Sequence, residues 1–261
     1  MTDQSHAPPS PIPEIRRVGI GDIRACLMLG WRDFRRAPAF GIFFSAVYVL
    51  GGVVLYLVLV ATGQTWWLIP LSAGFPILAP FAAVGLYEVS RRLEQEAPLD
   101  FNAVFGVVWR QRDRQVPSMA VVILVFFMFW VFVAHTIFAL FFGMQAFRGS
   151  LYEMLFSPSG MAMLAVGTVI GGAMAALLFS LTVISLPLLL DKELDFVTAM
   201  ITSFDAVRLS PVAMGYWAAT IAVLLFLAML PVFLGLFIVL PLLGHATWHL
   251  YRRVLPDGEA G

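Results

Sequence analysis

The stretch DIRACLMLGWRDFRRAP, Asp22 to Pro38, returns in outline as DFNAVFGVVWRQRDRQVP at Asp100 to Pro117 and as DFVTAMITSFDAVRLSP at Asp195 to Pro211. Each copy sets an Asp, eight residues, an aromatic (Trp31, Trp109, Phe204) and, seven or eight positions later, a Pro that opens a long apolar run. In the first copy Ile20, Ile23, Leu27, Trp31 and Phe34 recur at three- and four-residue spacing, with Arg24, Arg32, Arg35 and Arg36 elsewhere around the axis. That is the pattern of an amphipathic helix. The Asp suits an N-cap, because its carboxylate accepts free backbone N–H groups at the positive end of the helix dipole. The Pro suits the first turn of the next helix, where its missing N–H costs nothing. Each copy therefore predicts an interfacial helix, anchored by its aromatic, that feeds a membrane-spanning hairpin.

Composition agrees. A chain of 261 residues that is 61% hydrophobic and 12% charged, with mean hydropathy +0.90, does not describe a soluble domain. Apolar runs at 39–62, 68–87, 118–142, 161–190 and 212–250 contain no Asp, Glu, Lys or Arg. The first four are each long enough to cross a hydrocarbon core, which takes roughly 20 helical residues. The fifth is about twice that length, and Pro231 with Gly235 falls near its middle. The expected fold is an all-α membrane protein. Six transmembrane helices form three helical hairpins, each preceded by an interfacial helix, in a threefold internal repeat at about 20–92, 99–190 and 194–253. Residues 1–15 are expected to be a disordered cytoplasmic tail, 16–254 one membrane domain, and 255–261 a second cytoplasmic tail.

Fifteen of the sixteen basic residues fall on one side of this topology, leaving only Arg148 on the other. Short cytoplasmic loops carry the Lys and Arg excess, so both termini are predicted inside. Mixed charge on both faces, averaging to zero, gives no reason to expect nucleic acid. No signal peptide is read in the Pro-rich first 37 residues. Arg outnumbers Lys fifteen to one, which fits a G+C-rich bacterium and hence its inner membrane. Lone Cys26 excludes a disulfide framework.

Candidate chemistry is sparse. His245 and His249 share a helix face, and aligning Pro80 to Arg91-Arg92 with Pro241 to Arg252-Arg253 brings Glu88, Arg91, His245, His249 and Arg252 to one depth. The resulting polar cluster is read as a clasp between Glu88 and His249, with interfacial anchoring by Trp248 and His249 as the plainer alternative. His135 falls near the opposite face, so no metal site or cofactor is expected. Pro76, Pro80, Pro187, Pro231 and Pro241 break or bend the apolar helices, which at equivalent places can mark a transporter midplane. The polar groups that would serve such a path, Ser72, Thr136, Ser180, Thr182 and Ser185, carry no charge. Gly167-x-x-x-Gly171 and Gly172-x-x-x-Ala176 permit close helix packing. There is no phosphate loop, nucleophile elbow, zinc motif or dinucleotide fingerprint, so an enzyme is not expected. A structural or assembly role, with the bilayer and another membrane protein or a second copy as partners, fits best. A small-solute or lipid transporter is the alternative.

The stretches LGWRDFRRAPAFGIFFSAVY (Leu29 to Tyr48) and LPLLGHATWHLYRR (Leu240 to Arg253) resemble the bacterial integral-membrane family called domain of unknown function 2189, over residues 16 to 254. That resemblance implies a six-helix inner-membrane protein with no established activity. A label of cytochrome c oxidase subunit I, sometimes attached to the family, does not suit this chain. Its four His, one of them His6 in the tail, are too few for a haem-copper core.

Overall fold

A computed structural model describes residues 14–63, 74–143 and 151–256. The expectations for Ser72, Arg148, the start of the apolar run at 68–87 and most of both tails lie outside those residues. All regular structure among the described residues is helical: α1 (Ile20–Arg36), α2 (Pro38–Thr62), α3 (Gly74–Glu94), α4 (Phe101–Arg110), α5 (Val116–Phe142), α6 (Leu151–Phe156), α7 (Pro158–Thr182), α8 (Ser185–Asp191), α9 (Phe196–Leu209), α10 (Pro211–Met229) and α11 (Leu236–Val254). Among the described residues four segments are long and apolar enough to cross a membrane: α2, α5, α7 continued through α8, and α10.

Local chemistry explains the boundaries. Asp100 and Asp195 cap α4 and α9, accepting the N–H of Ala103 at 3.2 Å and of Thr198 at 2.9 Å. Asp22 is a correction: Gly19 is the N-cap of α1, and Asp22 sits three residues in, accepting the Gly19 N–H at 2.9 Å. It still fills the role of an acid in the first turn. Pro38 and Pro211 open α2 and α10, and Pro117 lies in the first turn of α5. Gly63 and Gly143, at φ +63° and +70°, close α2 and α5 with left-handed backbone that suits glycine. The long last run breaks at Pro231 to Gly235, between α10 and α11. There Val232 and Phe233 take positive φ, and the Phe233 ring lies against Gly52.

The core lies where α3, α8 and α11 meet, each pair being in contact. Residues 84–90, 183–190 and 245–251 are buried without interruption. Each short amphipathic helix docks on one of these three: α1 on α11, α4 on α3 and α9 on α8. Contacts fix the direction of the first pair. The Arg16 N–H bonds the Val254 carbonyl at 2.8 Å, Asp22 meets Arg253, and Gly30 abuts Leu242 and Ala246. Rising numbers on α1 meet falling numbers on α11, so α1 lies lengthwise and antiparallel along it. Its buried stripe, Ile23, Cys26, Gly30 and Asp33, is the face turned inward.

Candidate functional site

Gly30 brings α1 so close to α11 that a Cβ there would stand 2.7 Å from the Ala246 nitrogen and 2.8 Å from the Leu242 carbonyl oxygen. Small residues allow such approach. One turn further on, Asp33 enters the core with no exposure. Its Oδ2 accepts from His249 Nε2 at 2.6 Å and from Ser90 Oγ at 3.0 Å, and Ser90 Oγ is 2.8 Å from His245 Nδ1. Three helices, α1, α3 and α11, are thus joined by one hydrogen-bonded chain. Ser90 has a single proton, given to Asp33, so His245 Nδ1–H is the donor to Ser90 Oγ, a tautomer assigned from the network. The buried His245 Nε2 then holds a lone pair with no hydrogen-bond partner.

Burial alone would raise the Asp33 pKa, but the hydrogen bond and charge of His249, with the hydroxyl of Ser90, outweigh it and hold Asp33 below the ordinary aspartate range. Burial pushes the Cys26 thiol up to about 12, which leaves it unreactive. Asp22 is held low by the Gly19 N–H and by Arg253.

Of the five cluster residues, His245 and His249 belong to this hydrogen-bonded chain, while Glu88, Arg91 and Arg252 pair elsewhere. His249 bonds Asp33 instead of Glu88. Glu88, 1% exposed, is paired on its own helix with Arg91 and Arg92, each at 2.7 Å. Residues three and four apart on a helix are natural neighbours, and Arg92 outcompetes an imidazole for the carboxylate. The Glu88–His249 clasp is therefore corrected to an Asp33–His249 clasp. Arg252 approaches Glu94 at 3.3 Å and Asp191 at 3.9 Å. Trp248 Nε1 donates to Glu94 at 3.0 Å, and the Tyr251 hydroxyl to Asp191 at 2.6 Å. Neither Asp33 nor Ser90 is a sequence candidate above. Asp33 was nevertheless findable, since it continues the stripe Ile23, Cys26, Gly30 at helical spacing.

The remaining candidates lie apart. Trp31, Trp109 and Phe204 are 43%, 57% and 37% exposed. His135 is exposed on α5, with Nδ1 2.8 Å from the Val131 carbonyl. Pro80 and Pro241 lie inside α3 and α11, Pro187 inside α8 and Pro76 in the first turn of α3. Gly171 receives the Trp130 ring, while Gly167 and Gly172 face open space in an apolar groove of about 870 Å³ between α5 and α7. Among the described residues no group of three His, Cys, Asp or Glu gathers closely enough to hold a metal ion.

Among the described residues, an all-helical bundle with four spanning-grade segments and a polar joint at one end is the setting for a family match. Residues 68–191 match the family DUF2189, described as a predicted integral membrane protein. It is the family whose likeness was drawn on Leu29 to Tyr48 and Leu240 to Arg253, yet the matched segment lies between those stretches and is shorter than 16 to 254. It runs from just before α3 to the end of α8. No curated protein matches the chain, and no solved structure does. The chain is an integral membrane protein, and its DUF2189 segment supplies two of the three helices at the centre of the core.

Proposed function

We propose that the protein is a non-enzymatic structural or assembly component of the bacterial inner membrane, with six crossings, both termini in the cytoplasm and a threefold repeat. The observation that carries this reading is how the polar groups at the α1, α3 and α11 joint are spent. Asp33, Ser90, His249, Glu94, Trp248, Asp191 and Tyr251 bond across helices and hold them together, while Glu88 is neutralised by two arginines of its own helix. Support for the repeat is cyclic docking, in which the amphipathic helix of each copy sits on the last helix of the copy before it. Support for orientation is the charge split, and for six crossings the pairing of α3 and α11 with apolar neighbours.

A second reading, a small-solute or lipid transporter, draws on one feature. A mostly apolar cavity of about 200 Å³ between α2, α3, α10 and α11 has Ser45, Tyr48, Tyr87 and Thr247 in its lining, and Ser45 Oγ has no hydrogen-bond partner. The two readings part in a deletion strain. An assembly component predicts that a membrane complex disappears from native gels and returns with the wild-type gene. If every complex persists while the flux of a solute or lipid changes, the transporter reading replaces it.

A further inference from the structure

On the face of α1 opposite its buried stripe, Met28, Trp31, Arg32, Arg35 and Arg36 line a hollow of about 330 Å³. Arg32 has one partner, Asp33, at a weak 3.4 Å, and its side chain is half exposed. Arg35 and Arg36 form no ion pair among the described residues. Three guanidinium groups within five residues repel one another unless an anion joins them. The helix dipole favours Arg in a last turn, but it gives no reason for the exposed Met28 and Trp31 at the rim. Position supplies that reason. Apolar α2 starts at Pro38, directly after α1, so this end of α1 meets the bilayer where headgroups lie. Trp at that level is an interfacial anchor.

The other two amphipathic helices are arranged differently. Arg112 lies over the Trp109 ring at 4.2 Å and Arg208 over Phe204 at 5.9 Å, so each guanidinium is engaged by the aromatic of its own copy. On α1 the Trp31 ring leans on Phe34 instead, at 5.7 Å, and the arginines stay available. Guanidinium forks match phosphate oxygens in pairs. We propose that the C-terminal end of α1 is a binding site for an anionic phospholipid, with Arg35 and Arg36 holding the headgroup phosphate and Trp31 and Met28 covering its glycerol and upper acyl region. The inference rests on α2 entering the bilayer at Pro38 and does not depend on an assembly role.

The test is native mass spectrometry of the full-length protein, saturated with phosphatidylcholine and titrated with phosphatidylglycerol. Each Arg near an anionic surface is worth roughly fivefold in binding, so R35Q/R36Q should weaken phosphatidylglycerol retention by about 25-fold. R24Q/R110Q removes the same charge away from the hollow and should leave retention nearly unchanged. R35K/R36K keeps the charge and loses the fork, so its loss should be intermediate, which keeps the test sound if the glutamine variant folds poorly. Equal losses in R35Q/R36Q and R24Q/R110Q would mean general attraction to a charged surface and overturn the site. Wild-type protein with no preference for phosphatidylglycerol would overturn it too, as would full competition by inorganic phosphate, which would make it a soluble-anion pocket.

Discussion

Asp33→Ala is the most informative substitution, because Asp33 Oδ2 is the acceptor for two buried donors on two different helices. Its loss strands His249 Nε2–H and Ser90 Oγ–H in a site with no water access, since Asp33 and Ser90 are fully buried. Breaking a buried pair by removing one partner costs about 3–5 kcal/mol. Against that, Ala is a better helix former than Asp by roughly 0.7 kcal/mol at most. The net expectation is a loss of about 2–4 kcal/mol. Unfolding in mixed micelles, followed by circular dichroism against SDS fraction, would measure it. His249→Ala should also destabilise, and D33A/H249A should fall short of the summed losses by about 1–3 kcal/mol, as expected for contacting residues. Glu88→Gln with His249→Ala should be close to additive, since each of those side chains has a different partner. A loss below about 1 kcal/mol for Asp33→Ala, within the range of surface substitutions, or strict additivity for D33A/H249A, would refute the clasp.

The same residue sets a pH dependence. Asp33 has a lowered folded pKa, so its contribution is complete above the ordinary aspartate value of 3.8 and is lost only as pH falls below it; the gap between wild type and Asp33→Ala should hold from neutrality to about that point and then narrow. Gly30→Ala adds a Cβ against immobile backbone of Ala246, and overpacking of about 1–3 kcal/mol should exceed the roughly 0.5–1 kcal/mol gained in helix propensity, so micellar unfolding should show a net loss. Changing Trp31, Trp109 or Phe204 singly to Ala should lower folded yield in detergent modestly in each case, and three variants indistinguishable from wild type would leave the aromatics without an anchoring role. Reporter fusions after Trp67, Arg148 and Pro231 should read outside, and those after Gln95, Asp195 and Asp257 inside; an inside reading at Arg148 would overturn the orientation.

Much of the helical plan was legible because it depends on local chemistry. The apolar runs, the prolines that open α2, α5 and α10, the caps at Asp100 and Asp195 and the break at Pro231 each follow from a few adjacent residues. Asp22 differed because a glycine three residues earlier took the extended cap conformation. The clasp was misassigned for a different reason. Trp-Arg-Asp-Phe-Arg-Arg around Asp33 reads as a solvated charge string, and the helical spacing from Ile23, Cys26 and Gly30 that turns Asp33 inward is the weaker signal beside it. Glu88 reads as available to His249 because a sequence does not show that Arg91 and Arg92, three and four residues on, fold back to take its carboxylate. Contacts between helices far apart in sequence are set by which faces meet, and the pattern of one helix does not state what another brings to it.

The asymmetry among the three docking joints has a physical reason. Counting from the repeated Asp, the position of Asp33 is taken by Gln111 in the second copy and Ala206 in the third, so only the first copy brings a carboxylate. The joints of α4 on α3 and α9 on α8 are local, with a few linking residues between the helices; the first is built on Val104, Val107 and Val108, and the second on Ala199 and Ala206 with Ser203, whose hydroxyl bonds the backbone at Ser180 and Ile184. The joint of α1 on α11 closes the bundle between residues 216 apart in sequence. Loop closure over such a span costs roughly 3 kcal/mol more than over about ten residues, by the logarithmic length dependence. Apolar packing alone would not distinguish α1 from the other two amphipathic helices as the partner of α11. A helix with no acceptor would leave His249 Nε2–H unpaired at about 1–3 kcal/mol, which Ala206 would incur and a carboxylate removes. The buried Asp33–His249 bond therefore acts at the one joint where the correct partner must be both held across a long loop and chosen from among similar helices.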